Sequence, residues 1–145
     1  MAEAGYSGTP LLVKLGYRAG QRALLVGMPP ELDELAGFAG FAERVERPGL
    51  VALGAGEPGP FELIHVFERD RDALAAALSG LRGRLTPAGM LWVSWPKRAS
   101  GQPTTLDENR IREMALAGGL VDVKVCAVDA LWSGLKLVIP RALRG

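Results

Sequence analysis

The sequence predicts a small α/β protein built on one mostly parallel sheet with helices on its faces and a C-terminal antiparallel hairpin. Three observations carry this. The run RALLVG at residues 22–27 is a short, continuous apolar stretch of the kind buried on both faces of a parallel sheet. FELIHVF at 61–67 and MLWVSW at 90–95 repeat it, with a leucine-rich amphipathic segment between them, and strands alternating with helices imply parallel crossovers. The last third shows two alternating runs separated by a turn, the pattern of a hairpin.

Taken in order, residues 1–8 are small and polar and are expected to be loosely ordered, leaving residues 9–145 as a single domain. Thr9 and Pro10 supply a cap and an N1 proline for a short helix carrying Leu11, Leu12, Val13 and Leu15, with Gly16 as its stop. After the strand at 22–27, Pro29 and Pro30 followed by Glu31, Asp33 and Glu34 start a second helix that turns Leu32, Leu35 and Ala36 inward. Glycines and prolines interrupt residues 37–60, where two short strands fit at 41–46 and 50–53.

From residue 61 the pattern is regular. The strand at 61–67 leads to Asp70, a cap for a helix with Leu74, Leu78, Leu81 and Leu85 along one face. Thr86-Pro87-Ala88-Gly89 turns the chain into the strand at 90–95. Thr105 and Glu108 have capping-box spacing at the head of a helix bearing Ile111, Met114 and Ala115, with Glu108 and Arg112 a favourable pair and Gly118-Gly119 the stop. Val121, Val123, Val125 and Ala127 then share one face of a strand. A turn at 129–134 leads to Leu135, Leu137 and Ile139 on its partner, an antiparallel strand added at the edge of the sheet.

The chain has 145 residues, and 17 basic against 16 acidic groups give a net charge of +1. No global field favours nucleic acid, so an anion site must be local. The single cysteine, Cys126, allows neither an intrachain disulfide nor a multi-thiolate zinc centre. The opening MAEAGYSGTP has no basic region leading into an apolar stretch, and no run of about 18 apolar residues occurs. A cytoplasmic protein with no membrane span is expected.

In open α/β sheets ligands bind beyond the carboxyl ends of the strands, which singles out the loops after Gly27, Phe67 and Trp95 and the turn of the hairpin. The loop WPKRASG is the strongest candidate: Lys97 and Arg98 bring charge, while Ser100, Gly101, Gln102, Thr104 and Thr105 bring hydroxyl, amide and backbone donors. If the first hairpin strand runs parallel to 90–95, Asp129, Trp132 and Ser133 come beside it. Trp95, Lys97, Arg98, Ser100, Gly101, Trp132 and Ser133 are therefore the predicted ligand contacts, for a small anion; Trp95 and Trp132 offer stacking surfaces, while core and edge packing is the plainer reading of these tryptophans and of Trp92. The alternative is a solvated loop shaped by Pro96 and Pro103, with Asp129 paired to a basic residue.

The first loop, Gly27-Met28-Pro29-Pro30, has one glycine, and its prolines replace N–H groups that would hold phosphate. Glu46 lies about 19 residues after Gly27, where an acid would hold a ribose hydroxyl in a dinucleotide fold. Without a G-x-G-x-x-G turn, a solvated glutamate is the plainer reading. His65, the only histidine, alternates within an apolar strand and reads as a core residue with one hydrogen-bond partner rather than a base. Cys126 reads as a small buried hydrophobe, and no metal site is predicted.

The segments GMLWVSWPKRASG, LVDVKVCAVD and WSGLKLVIPR, with the opening LLVKLGYRAGQRALLVG, resemble a bacterial domain-of-unknown-function family over nearly the whole chain. More distantly, FELIHVF, the leucine-rich helix, LTPAGMLWVSW and the terminal hairpin are similar to the second half of class I S-adenosylmethionine-dependent methyltransferases. That resemblance implies a truncated, methyltransferase-like (Rossmann-like) sheet. The missing G-x-G turn and the short middle segment depart from the pattern, so no cofactor is predicted. The leading expectation is a non-catalytic binding or regulatory module with an anion loop at the carboxyl edge. The alternatives are an S-adenosylmethionine- or nucleotide-dependent enzyme with an atypical site, and a structural protein that forms a homodimer through an apolar edge.

Overall fold

The computed structural model describes residues 10–54 and 59–144; the predicted loose start at residues 1–8 and the cap at Thr9 lie outside them. Its core is a six-stranded sheet in the order β2-β1-β3-β4-β6-β5. β1 (Arg22–Val26), β2 (Glu43–Arg47), β3 (Phe61–Phe67) and β4 (Leu85–Pro96) are parallel. β6 (Trp132–Val138) runs antiparallel to β4 and to β5 (Val121–Ala127). The hairpin is thus present, but its antiparallel strand sits inside, against β4, and β5 takes the edge.

Successive side chains of the central strands point to opposite faces, so continuous apolar runs feed two cores. Leu24, Val26, Ile64, Val66, Leu91 and Val93 face α3 (Arg71–Gly83) and α4 (Glu108–Ala117). Ala23, Leu25, Leu63, Phe67 and Trp92 face the other way, beneath α1 (Leu11–Lys14) and its following turn and α2 (Asp33–Ala36). Each of these last helices is 4 residues long, so this second face has a thin cover. Among the described residues no helix is long and apolar enough to cross a membrane.

Several local expectations are corrected. Pro10 is itself the residue capping α1, and α2 begins at Asp33 rather than at the prolines, with Leu32 before it. Residues 50–52 form a 3-10 turn instead of a strand, since the sheet already ends at β2. Leu85 leaves the helical stripe: α3 stops at Gly83 and Leu85 opens β4, where it pairs with Phe61. The predicted turn at 86–89 is a bulge inside β4, because Leu63 pairs next with Met90.

The cap of α4 is Asp107, whose carboxylate accepts from Arg110 N–H at 2.8 Å, and not Thr105. Thr105 has other work: its hydroxyl oxygen accepts from Arg71 N–H at 2.7 Å, tying the loop before α4 to the start of α3. Asp70 caps α3 as expected, accepting from Ala73 N–H at 2.8 Å, and Glu108 pairs with Arg112. On β5 the predicted apolar face fails. Val123 falls at a register shift between Asp122 and Lys124, and Val123, Val125 and Ala127 are exposed while Cys126 is buried. A bulge on an edge strand rotates its side chains away from the alternation that the sequence suggests. Trp132, Ser133 and Gly134, expected in the turn, already belong to β6.

Candidate functional site

From β1 the chain crosses to β2 on one side and returns to β3 on the other, so the strand order reverses at the carboxyl ends of β1 and β3. A crevice opens there, as it does in open α/β sheets generally. Its volume is about 630 Å³, within the range of small-molecule sites. Met28 to Glu31 form one wall, Glu46 to Gly49 a second, and Glu68, Arg69, Leu131 and Trp132 a third, over a floor of Gly27 and Phe67.

Gly27 makes the tight exit from β1 possible. It has φ +70°, donates its N–H to Arg47 O at 2.9 Å, and a Cβ there would lie 2.9 Å from Phe67 O. Gly27→Ala is expected to destabilise the fold by about 2 kcal/mol, from the left-handed backbone and this close approach together. A urea midpoint equal to that of the parent would contradict it.

The charged walls are organised. Glu46, next to the last residue of β2, accepts from Arg44 Nε at 2.6 Å, while its own carboxylate is more than half exposed. Glu68 turns back to accept from the N–H groups of Arg69 and Asp70, each at 2.9 Å. The Arg69 guanidinium lies 5.5 Å over the Trp132 ring, a cation–π contact, and Trp132 meets Phe67 edge to face at 5.1 Å. Carboxylates, a guanidinium and an aromatic face thus surround one opening.

The WPKRASG loop adjoins this crevice without lining it. Lys97 N–H donates to Leu131 O at 2.7 Å, which places the loop beside the hairpin turn as the parallel course of β5 and β4 requires. Its polar groups are largely spent on itself: the Ser100 hydroxyl donates to Lys97 O at 2.6 Å and accepts from Gln102 N–H at 3.2 Å. Thr104 donates to Arg69 O at 2.8 Å. Gly101 closes the turn with φ +74°, and the side chains of Lys97 and Arg98 carry no ion pair among the described residues.

The predicted contacts divide. Trp132 faces the crevice, but Trp95 is buried in the core on the opposite face of the sheet, so the two tryptophans form no common stacking surface. Ser133 is paired with Trp95 and Ala127 within the sheet. Asp129 takes no basic partner in the hydrogen bonds of the turn; it accepts from Leu131 and Trp132 N–H. Trp92 is fully buried.

His65 is a core residue with two partners where one was expected. Tyr17 Oη lies 2.7 Å from its Nδ1 and Ser94 Oγ 2.7 Å from its Nε2. Burial lowers its pKa to about 3 and pushes that of Tyr17 above the ordinary phenol range. It is walled off from the crevice by Phe67, on which it stacks at 4.3 Å. Burial likewise raises the thiol pKa of Cys126. Among the described residues no group of His, Cys, Asp and Glu could hold a metal ion.

The fold recurs in solved structures. A magnesium protoporphyrin IX methyltransferase from Synechocystis PCC 6803 with bound SAM is 13% identical with a TM-score of 0.58, over 88% of this chain and 74% of that one. The CcbJ methyltransferase from Streptomyces caelestis is 12% identical with a TM-score of 0.57, over 89% and 86%. A ribosomal protein L11 methylase from Lactobacillus delbrueckii subsp. bulgaricus is also 12% identical with a TM-score of 0.57, over 89% and 76%. At such identities the shared property is the methyltransferase-like sheet. A search of curated protein sequences finds no match. Residues 62–141, more than half of the chain, match the family described as "Protein of unknown function (DUF3052)", and the protein belongs to that family.

Proposed function

We propose that this protein is a small-molecule-binding α/β module whose ligand occupies the crevice between the ends of β1, β2 and β3. The ligand class that fits best is a nucleoside-bearing molecule such as S-adenosylmethionine. The observation that carries this reading is the position of Glu46: an exposed carboxylate at the end of β2, on the wall of a crevice of about 630 Å³ at the switch point of the sheet. A carboxylate there is placed to accept from two ribose hydroxyls. Trp132, under Arg69, offers an apolar edge for the ring. The solved relatives named above as methyltransferases, one of them with bound SAM, support the ligand class through their common fold.

The proposed role is binding. The one histidine is enclosed between Tyr17 and Ser94 and reaches no ligand. Lys97 and Arg98 extend the site in this reading: the Lys97 N–H is bonded to the carbonyl of Leu131, which lines the crevice, and the two side chains would meet an anionic end of the ligand. A cytoplasmic location is part of the same proposal.

Calorimetric and thermal-shift titration with S-adenosylmethionine, S-adenosylhomocysteine, adenosine and ATP tests this. At about 100 times Kd a ligand stabilises by about 2.7 kcal/mol, a readily measured shift in melting. Glu46→Ala is expected to weaken every ribose-bearing ligand by about tenfold, the worth of a charge-assisted hydrogen-bond pair. Lys97→Ala/Arg98→Ala should weaken the anionic ligands and spare adenosine. No shift with any of them at millimolar concentration, or binding indifferent to Glu46→Ala, would remove the proposal.

A further inference from the structure

The thinly covered face of the sheet carries a second feature, away from the crevice. Lys124 on β5 stands directly opposite Lys136 on β6. Like charges facing one another across two strands are destabilising. Lys136 is part-buried and pairs on its other side with Trp92 of β4, whose indole N–H donates to Leu15 O at 2.7 Å. That contact brings the end of α1, with Lys14, and the turn after it, with Arg18, over the same region.

The fields overlap accordingly. Burial lowers the Lys136 pKa, and Lys124 and then Arg18 lower it further. Lys14 and Lys124 act on Cys126, buried beside them. None of Lys14, Arg18, Lys124 and Lys136 carries an ion pair among the described residues. The acid nearest in sequence, Asp122, pairs with Leu137 of the opposite core and is held by Arg112 of α4 at 3.0 Å. The chain is nearly neutral overall, so this is a concentration of positive charge and not a general property of the surface.

The geometry points to a binding site for a multiply charged phosphate anion, formed by Lys14, Arg18, Lys124 and Lys136 on the α1 face of the β5–β6 hairpin. A ligand with two or more negative charges turns the Lys124–Lys136 repulsion into two attractions. Part-burial of Lys136 raises the strength of its contact, because water screens it less. Ammonium groups act as point charges with rotatable donors and hold phosphate without a fixed fork, and Arg18 adds a planar one. The site is independent of the crevice and of Lys97 and Arg98.

Pyrophosphate is the probe. It should bind with 1:1 stoichiometry in calorimetry and raise the melting temperature, whereas sodium chloride at equal ionic strength should not. Lys124→Gln/Lys136→Gln should weaken pyrophosphate by at least about tenfold and, without ligand, melt above the parent because the facing charges are gone. Lys14→Gln/Arg18→Gln, at positions outside the core, should give a similar loss and guards against a folding defect in the first pair. Glu46→Ala and Lys97→Ala/Arg98→Ala should leave pyrophosphate binding unchanged, so failure here is separable from failure at the crevice. The proposal is overturned if pyrophosphate acts only as salt does, if both lysine and lysine–arginine pairs bind it like the parent, or if removing Lys97 and Arg98 abolishes the binding.

Discussion

Trp92→Ala is expected to destabilise the protein by about 3–5 kcal/mol, the range for truncating a fully buried aromatic residue, and so to remove much of the stability of a domain this size. Trp92 is fully buried at the centre of β4, and its indole N–H holds Leu15 O at 2.7 Å. Truncation opens a cavity in the core beneath α1 and strands that carbonyl. α1 is only 4 residues long and has no side-chain cap, so it depends on this attachment rather than on helical propensity. Trp92→Phe separates the two losses: the ring volume is mostly kept and the carbonyl is orphaned, at about 1–3 kcal/mol. Urea denaturation of both variants gives the measurement. Equal midpoints for parent and Trp92→Ala would mean that the α1 face is not packed as described.

The neighbour that makes room for Trp92 is Gly134. A Cβ at Gly134 would lie 3.1 Å from Ser94 Oγ and 3.2 Å from the Trp92 ring. Nothing in a one-dimensional reading of WSGLKLV signals this, and Gly134 is naturally read there as a turn residue. Only the pairing of Ser94 with Gly134 shows that the glycine is a strand position across from a polar core group.

That example is representative of what the sequence revealed and what it concealed. FELIHVF was legible to the residue because an unbroken apolar run bounded by Pro60 and charged residues has few other solutions. Asp70 was legible because a cap acts on its own next turn. Leu85 and Thr105 were misplaced for one reason: each satisfies a local pattern, a heptad-like stripe or a capping box, while tertiary contacts put it to another use. Leu85 pairs with Phe61, and Thr105 bonds to the α3 start. Edge position explains β5, where a bulge breaks the period that valines at every second residue imply.

The crevice was harder to foresee than the strands. WPKRASG drew attention because its polar groups are contiguous in sequence, yet the structure shows Ser100 and Thr104 bonded within their own neighbourhood. The crevice instead gathers Gly27, Glu46, Phe67, Arg69 and Trp132, which only the strand order brings together. The carboxyl-edge rule did point to the loops after Gly27 and Phe67 and to Trp132; for Glu46 the signal was its spacing from Gly27, and the absent glycine motif argued against using it. Position at a switch point, rather than a phosphate-loop motif, is what gives Glu46 its place in the proposed site.

Between pH 7 and pH 5 the protein is expected to lose on the order of 2 kcal/mol of stability through His65 alone. The imidazole is fully buried, and burial lowers its pKa from the ordinary 6.5 to about 3. Below pH 6.5 the unfolded chain therefore takes a proton that the native protein refuses, so the unfolded state binds more protons and native stability falls as the pH drops. The full contribution is present above pH 6.5, declines by about 1.4 kcal/mol per unit below it, and levels off only near the folded pKa. A neutral ring suits its surroundings: one nitrogen donates and the other accepts, between the Tyr17 and Ser94 hydroxyls, whichever tautomer is present. His65 is the only histidine, the side-chain type whose ordinary charge change is centred in this interval. His65→Gln, which keeps a donor and an acceptor and does not titrate, should be less stable than the parent at pH 7 but nearly flat between pH 7 and pH 5. Urea midpoints at the two pH values decide the matter: a parent that is equally stable at both, or a His65→Gln variant with the parent's slope, would show that His65 is not the group that senses acid.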